Sequence, residues 1–129
     1  RSIGSSGILE IGRSIRHHEQ FKPGGTNVDF VDSFSGKTIS MRSYERGVED
    51  ETLACGTGAV ACSIIAALVK GVVPPIDVQT RGKETLRVDF KAAGKSIKQV
   101  ELEGPAQIVY RGELEYSLPS RQGTNGIEA

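Results

Sequence analysis

The chain has no tryptophan, one methionine, two histidines, two cysteines and only seven Phe and Tyr in 129 residues. Its core must therefore be built from Val, Ile, Leu and Ala rather than from stacked rings. Two cysteines are too few for a disulfide scaffold, and the Cys and His residues do not cluster at metal-ligand spacing. Charge of one sign is also missing, since 16 Lys and Arg offset 16 Asp and Glu. That balance removes the basic footprint of a nucleic-acid binder. The longest apolar stretch, Ile64 to Val69, is far short of the ~20 residues that span a bilayer, and no basic start followed by an apolar run marks an export signal. Neither nucleic acid nor membrane is expected as a partner, and a cytoplasmic location is expected, or the plastid stroma for a plant source.

What the chain does have is glycine, 16 residues of it, and short alternating runs separated by turn residues. Residues 1–7 are small and polar and read as a linker. Ile8, Ile11 or Gly12, and Ile15 recur at helical spacing, predicting a short amphipathic helix to His17 or His18 before Pro23-Gly24-Gly25 breaks the chain. Asn27 to Phe34 and Thr38 to Tyr44, joined through Ser35-Gly36-Lys37, form a hairpin pattern. After a polar, acidic stretch from Glu45 to Glu51 comes Leu53-Ala54-Cys55-Gly56-Thr57-Gly58. An uncharged apolar segment, Ala59 to Lys70, follows. A helix apolar on every side reads as buried on every side. Lys70-Gly71 and then Pro74-Pro75 end it. Four further strands are predicted at Ile76 to Thr80, Thr85 to Phe90, Gln99 to Glu103 and Gln107 to Leu114. Residues 117–129 read as a flexible tail. The expected architecture is α+β over residues 8–116, with mainly antiparallel strands wrapped around a buried central helix.

The chemistry concentrates where that helix begins. A helix start leaves amides without internal partners and carries the positive end of the peptide dipoles. Gly56-Thr57-Gly58 can bring those amides close to an anion, and the same field favours thiolate at Cys55. Cys62 lies two turns inside the helix and reads as core. The cysteines sit seven positions apart, roughly 10 Å along a helix, beyond the ~7 Å reach of a disulfide. A thiolate beside a bound carboxylate suits attack on a carbonyl or removal of a proton α to a carboxylate. A nucleophilic cysteine normally needs a histidine base, and His17 and His18 are far upstream; proton abstraction needs none. Gly56-x-Gly58-x-x-Ala61 with Asp77 about 20 residues on also fits a dinucleotide fingerprint. That motif should follow a buried Val/Ile strand, however, and Tyr44 to Thr52 is polar and acidic.

Four separated motifs then agree. Gly25-Thr26-Asn27-Val28, Glu45-Arg46-Gly47, Glu51 to Ala59 and Leu102-Glu103-Gly104-Pro105-Ala106 together resemble the C-terminal half of the diaminopimelate epimerases. The resemblance runs in order from about Phe21 to Glu113. It implies a cofactor-independent, metal-free epimerase in lysine and peptidoglycan precursor biosynthesis, with two cysteines on opposite faces of an amino-acid substrate's α-carbon. Cys55 matches the second of them. Gly56 and Thr57 would donate backbone N–H bonds to the reacting carboxylate, Glu45 would hold the α-ammonium, and Arg46 and Asn27 would grip the distal carboxylate. The stretch Val48-Glu49-Asp50 is one residue longer than in some relatives, which leaves Glu51 as the rival to Glu45. The family's first half, with the other cysteine, is not in this chain, so the resemblance implies an N-terminal half as partner and an isolated chain that is inactive; a homodimer is compatible with it. Proline racemases share a Cys-Gly-Thr-Gly helix start and form the nearest enzymatic alternative. Glu45-Arg46-Gly47 and Leu53-Ala54 favour the diaminopimelate family, because a second carboxylate needs a second anion grip. A non-catalytic domain that folds but turns nothing over is the alternative of another kind.

Overall fold

The computed structural model describes residues 5–94 and 96–116. Helix α1 (Ser5–Arg16) is followed by a 3₁₀ turn (Glu19–Phe21) and then by β1 (Val28–Ser35), β2 (Thr38–Glu45) and β3 (Asp50–Thr52). Helix α2 (Gly56–Lys70) precedes β4 (Ile76–Gln79), β5 (Thr85–Ala93) and β6 (Ser96–Glu103). The strands form one six-stranded sheet in the order β1-β2-β4-β5-β6, with β3 also paired to β2. Every pairing is antiparallel except β2 with β4, where Ile39 lies opposite Val78. One edge of β2 is shared, its first residues pairing with β4 and Ser43 to Glu45 with β3. The architecture is α+β with a largely antiparallel sheet, and the predicted hairpin is present with Val28 opposite Tyr44 and Ser35 opposite Thr38.

Alternation along β2 separates two packing layers. Ile39, Met41 and Ser43 are buried toward α2, where Ile39 and Met41 join Ala59, Cys62, Ala66, Ile76, Val78, Val88 and Phe90 in the main core. Tyr44 points the other way and is fully buried, as is Ile8 of α1. Gly12 makes that second layer fit, because a Cβ there would sit 2.7 Å from Tyr44 Cβ and Cγ. In an exposed helix Gly to Ala stabilises by up to ~1 kcal/mol. Here the sign reverses: Gly12→Ala is expected to lower the unfolding free energy by about 2 kcal/mol through overpacking, read as a lower denaturant midpoint at unchanged slope.

Helix α2 ends as predicted. Gly71 adopts φ 68°, and its N–H reaches the carbonyls of Ala66 and Ala67 behind Lys70, a left-handed cap that glycine fills without a Cβ penalty. Burial of α2 differs from the sequence reading. Gly58, Ala59, Cys62, Ser63 and Ala66 face the sheet, whereas Ile65, Leu68 and Val69 are more than half exposed. Among the described residues the strands cover one side of the helix and do not wrap it. Composition reports how apolar a helix is on all sides; it does not report which sides this stretch of chain covers.

Three boundaries are also corrected. Helix α1 begins at Ser5, inside the segment read as linker, whose first four residues lie outside the described ones together with the tail 117–129. It buries Ile8 and Gly12 while Ile11 and Ile15 stay exposed. Strand β3 lies in the stretch read only as polar and acidic. Its Glu51 carboxylate is 2% exposed, held by Arg42 Nη2 at 2.6 Å and Arg81 at 2.9 Å, and ion pairing of that kind leaves no trace in hydropathy. Conversely, the strand predicted at Gln107 to Leu114 is not formed: residues 104–116 carry no regular element, and Ile108, Val109, Tyr110 and Leu114 are 72–87% exposed. A strand needs a neighbouring ladder, and no described strand lies beside this one.

Candidate active site

Cys55 is the N-cap of α2. Its extended backbone (φ −133°, ψ 109°) turns the chain from β3 into the helix, and its sulfur accepts the Gly58 N–H at 3.3 Å. The hydroxyl of Thr57 is 3.5 Å and Asn27 Nδ2 3.9 Å from the same sulfur. The first intrahelical bond runs from Ala59 N–H to Cys55 C=O at 2.9 Å, so the amides of Gly56 and Thr57 precede the helical ladder and have no partner within it.

These groups open onto a cavity of about 540 Å³ lined by Glu45, Ala54, Cys55, Gly56, Thr57, Val60 and Leu102. Glu45 comes from the end of β2, where its Oε1 accepts the Thr52 hydroxyl at 2.7 Å. Leu102 reaches in from β6, its Cδ2 only 3.1 Å from where a Cβ on Gly56 would stand. The Leu102 motif is thus tied in space to the cysteine motif although 46 residues separate Leu102 from Gly56.

Of the residues singled out from sequence, Asn27, Glu45, Cys55, Gly56 and Thr57 are brought together. Arg46 stands apart from the lining. Its backbone N–H donates to Asn27 Oδ1 at 2.9 Å, and its guanidinium donates to the Gly24 carbonyl at 3.1 Å. Glu45 lines the cavity, whereas Glu51 is clamped between arginines. The dinucleotide reading loses its context, because the strand before α2 is the short polar β3, antiparallel to β2.

Both cysteines are free, and they differ in surroundings. Burial first, then the charges of Asp29 and Cys55, push the Cys62 thiol up to about 12. It is a neutral thiol at any physiological pH. Among the described residues no group of three His, Cys, Asp or Glu side chains is placed to hold a metal ion.

Sequence reasoning missed Asp29 and Ser43. The two sit opposite each other on β1 and β2, and Ser43 Oγ donates to Asp29 Oδ1 at 2.6 Å. The Asp29 carboxylate lies against Gly58, where an added Cβ would come within 2.4 Å of Oδ1 and 2.9 Å of Oδ2. The two glycines of the motif therefore do different jobs: Gly56 borders the cavity and Gly58 makes room for a carboxylate behind it. Burial raises the Asp29 carboxyl above its ordinary value, the Ser43 bond opposes that rise, and the charge of Glu45 adds to it. The strand that carries Asp29 was legible from the hairpin pattern; the carboxylate's contact with a helix more than 25 residues away was not.

A family model described as diaminopimelate epimerase matches residues 2–112. Among curated relatives, the diaminopimelate epimerase of Aquifex aeolicus is 50% identical over 109 residues, covering 83% of this chain and 38% of the relative. That of Chlorobaculum tepidum is 43% identical over 108 residues, 83% and 41% respectively. That of Chlamydia trachomatis serovar D is 39% identical over 108 residues, 82% and 38%. The chain spans about two fifths of the length of these relatives. With four motifs in order, a thiol at a helix start and a family match across most of its length, this chain belongs to the diaminopimelate epimerase family.

Proposed function

We propose that this chain supplies the second half of the active site of an epimerase that interconverts LL- and meso-diaminopimelate, in lysine and peptidoglycan precursor biosynthesis, by proton transfer between two thiols without a cofactor. The observation that carries this reading is Cys55 Sγ on the Gly58 amide in a cavity shared with Glu45 and the first-turn residues Gly56 and Thr57. Removing an α-proton places charge on the adjacent carboxylate, and amides fixed before the reaction stabilise that charge most where it develops. Gly56 and Thr57 N–H would serve there, with Cys55 exchanging the proton on one face of the α-carbon. Glu45 would pair with the α-ammonium. Asn27 and Arg46 would take the distal carboxylate, Arg46 by exchanging the Gly24 carbonyl for a substrate carboxylate. The second thiol would come from an N-terminal half, the partner this reading requires, and a cytoplasmic setting or plastid stroma suits a pathway enzyme.

One thiol cannot both remove a proton from one face and deliver one to the other, so the isolated chain is expected to convert no LL-isomer. Mixed with the N-terminal half of a family member, it is expected to give LL-to-meso conversion, and in ²H₂O to place deuterium at the α-carbon. Conversion of proline with none of diaminopimelate would shift the assignment to a racemase of the alternative kind. Reconstituted, folded halves that exchange no α-proton would leave the chain a non-catalytic domain.

A further inference from the structure

We propose that Asp29 is a positioning residue of this thiol site, its carboxylate under Gly58 counterbalancing the helix start so that Cys55 can both give up and take back a proton. The inference rests on the epimerase reading and deepens it. Helix-start amides acting alone would favour the thiolate. A thiol locked in that form removes a proton readily and returns one poorly, whereas a reversible epimerase works best with an acid–base group poised near the working pH.

The placement of Asp29 supplies the opposing charge. Its carboxylate touches Gly58, whose N–H is the one on Cys55 Sγ. Ser43, buried to 2%, donates to Oδ1 at 2.6 Å and fixes the carboxylate's direction. The groups facing this region are Asn27 ahead of β1, Glu45 on β2, and Cys55, Thr57 and Cys62 along α2. Of these groups Glu45 is the acidic one, and Asp29 adds the carboxylate that lies against Gly58. Its charge already reaches Cys62 on the next turn of α2.

The experiment is site-resolved iodoacetamide alkylation of this chain across pH, read by mass spectrometry, with Cys62 as internal control. In the unsubstituted chain Cys55 is expected to react well ahead of Cys62. If it does not, the thiol-site reading fails. In Asp29→Asn the Cys55 profile is expected to move to lower pH by about one unit, or about tenfold faster alkylation below the midpoint, as loss of a nearby charge at intermediate dielectric implies. Asp29→Ser, which removes the same charge with a shorter side chain, is expected to move the profile in the same direction. A folded Asp29→Asn chain with an unmoved Cys55 profile overturns the inference and leaves the epimerase reading standing. Should Asp29→Asn not fold, an unmoved profile in a folded Asp29→Ser chain does the same.

Discussion

Cys55→Ser is expected to cut LL-to-meso conversion by about 10³-fold when this chain is complemented with a family N-terminal half, the scale set by removing a positioned acid–base group. The contrast with Cys62→Ala makes the test decisive. Cys62 is a buried neutral thiol in the main core that also holds Ile39, Ala59 and Ala66, so its replacement should leave turnover within a few-fold and cost about 1 kcal/mol of stability. The measurement is initial rate of meso-isomer formation at matched concentrations of folded halves. Equal losses for both cysteines would mean that folding alone was lost; an undiminished rate in Cys55→Ser would remove that sulfur from the chemistry.

Arg42→Ala should be the most damaging single change to the fold itself. The guanidinium meets both oxygens of Glu51, a carboxylate with 2% exposure, while Arg81 supports one of them from the loop after β4. Truncating one partner of a buried pair leaves a charge without its counterion, which costs about 3–5 kcal/mol. The half-exposed Arg81 remains to compensate, placing the expected loss near the lower end, about 3 kcal/mol. Chemical denaturation monitors it. A loss below about 1 kcal/mol would show that the pair behaves as a surface ion pair. Arg42→Ala combined with Glu51→Gln is expected to recover part of the loss, since the second substitution removes the stranded charge.

How far the residue pattern alone reached can be followed element by element. The hairpin, α2 with its glycine stop, and strands β4 to β6 were legible because each couples a periodic run to a turn signal. The thiol site was legible for the same kind of reason: Cys55-Gly56-Thr57-Gly58 carries both its helix start and its glycines in one contiguous stretch. What escaped notice depends on contacts between distant segments. Glu51 reads as a solvated acid until Arg42 and Arg81 enclose it, and Asp29 as a polar strand residue until Gly58 settles on it. Gln107 to Leu114 failed in the opposite direction: an apolar run satisfies local strand propensity, yet a strand exists only where another backbone pairs with it.

The position of Leu102 has one more consequence. It forms part of the cavity wall, but it belongs to β6, an edge strand whose side chains are exposed or only partly covered. Edge ladders fray before central ones, with opening free energies well below that of global unfolding. The wall above Gly56 is therefore hinged on an edge strand, and amide hydrogens near Val100 and Leu102 should trade with solvent far sooner than those of Ile39 or Val78. Transient loosening of a single margin would then unveil the thiol while the rest of the molecule stays intact.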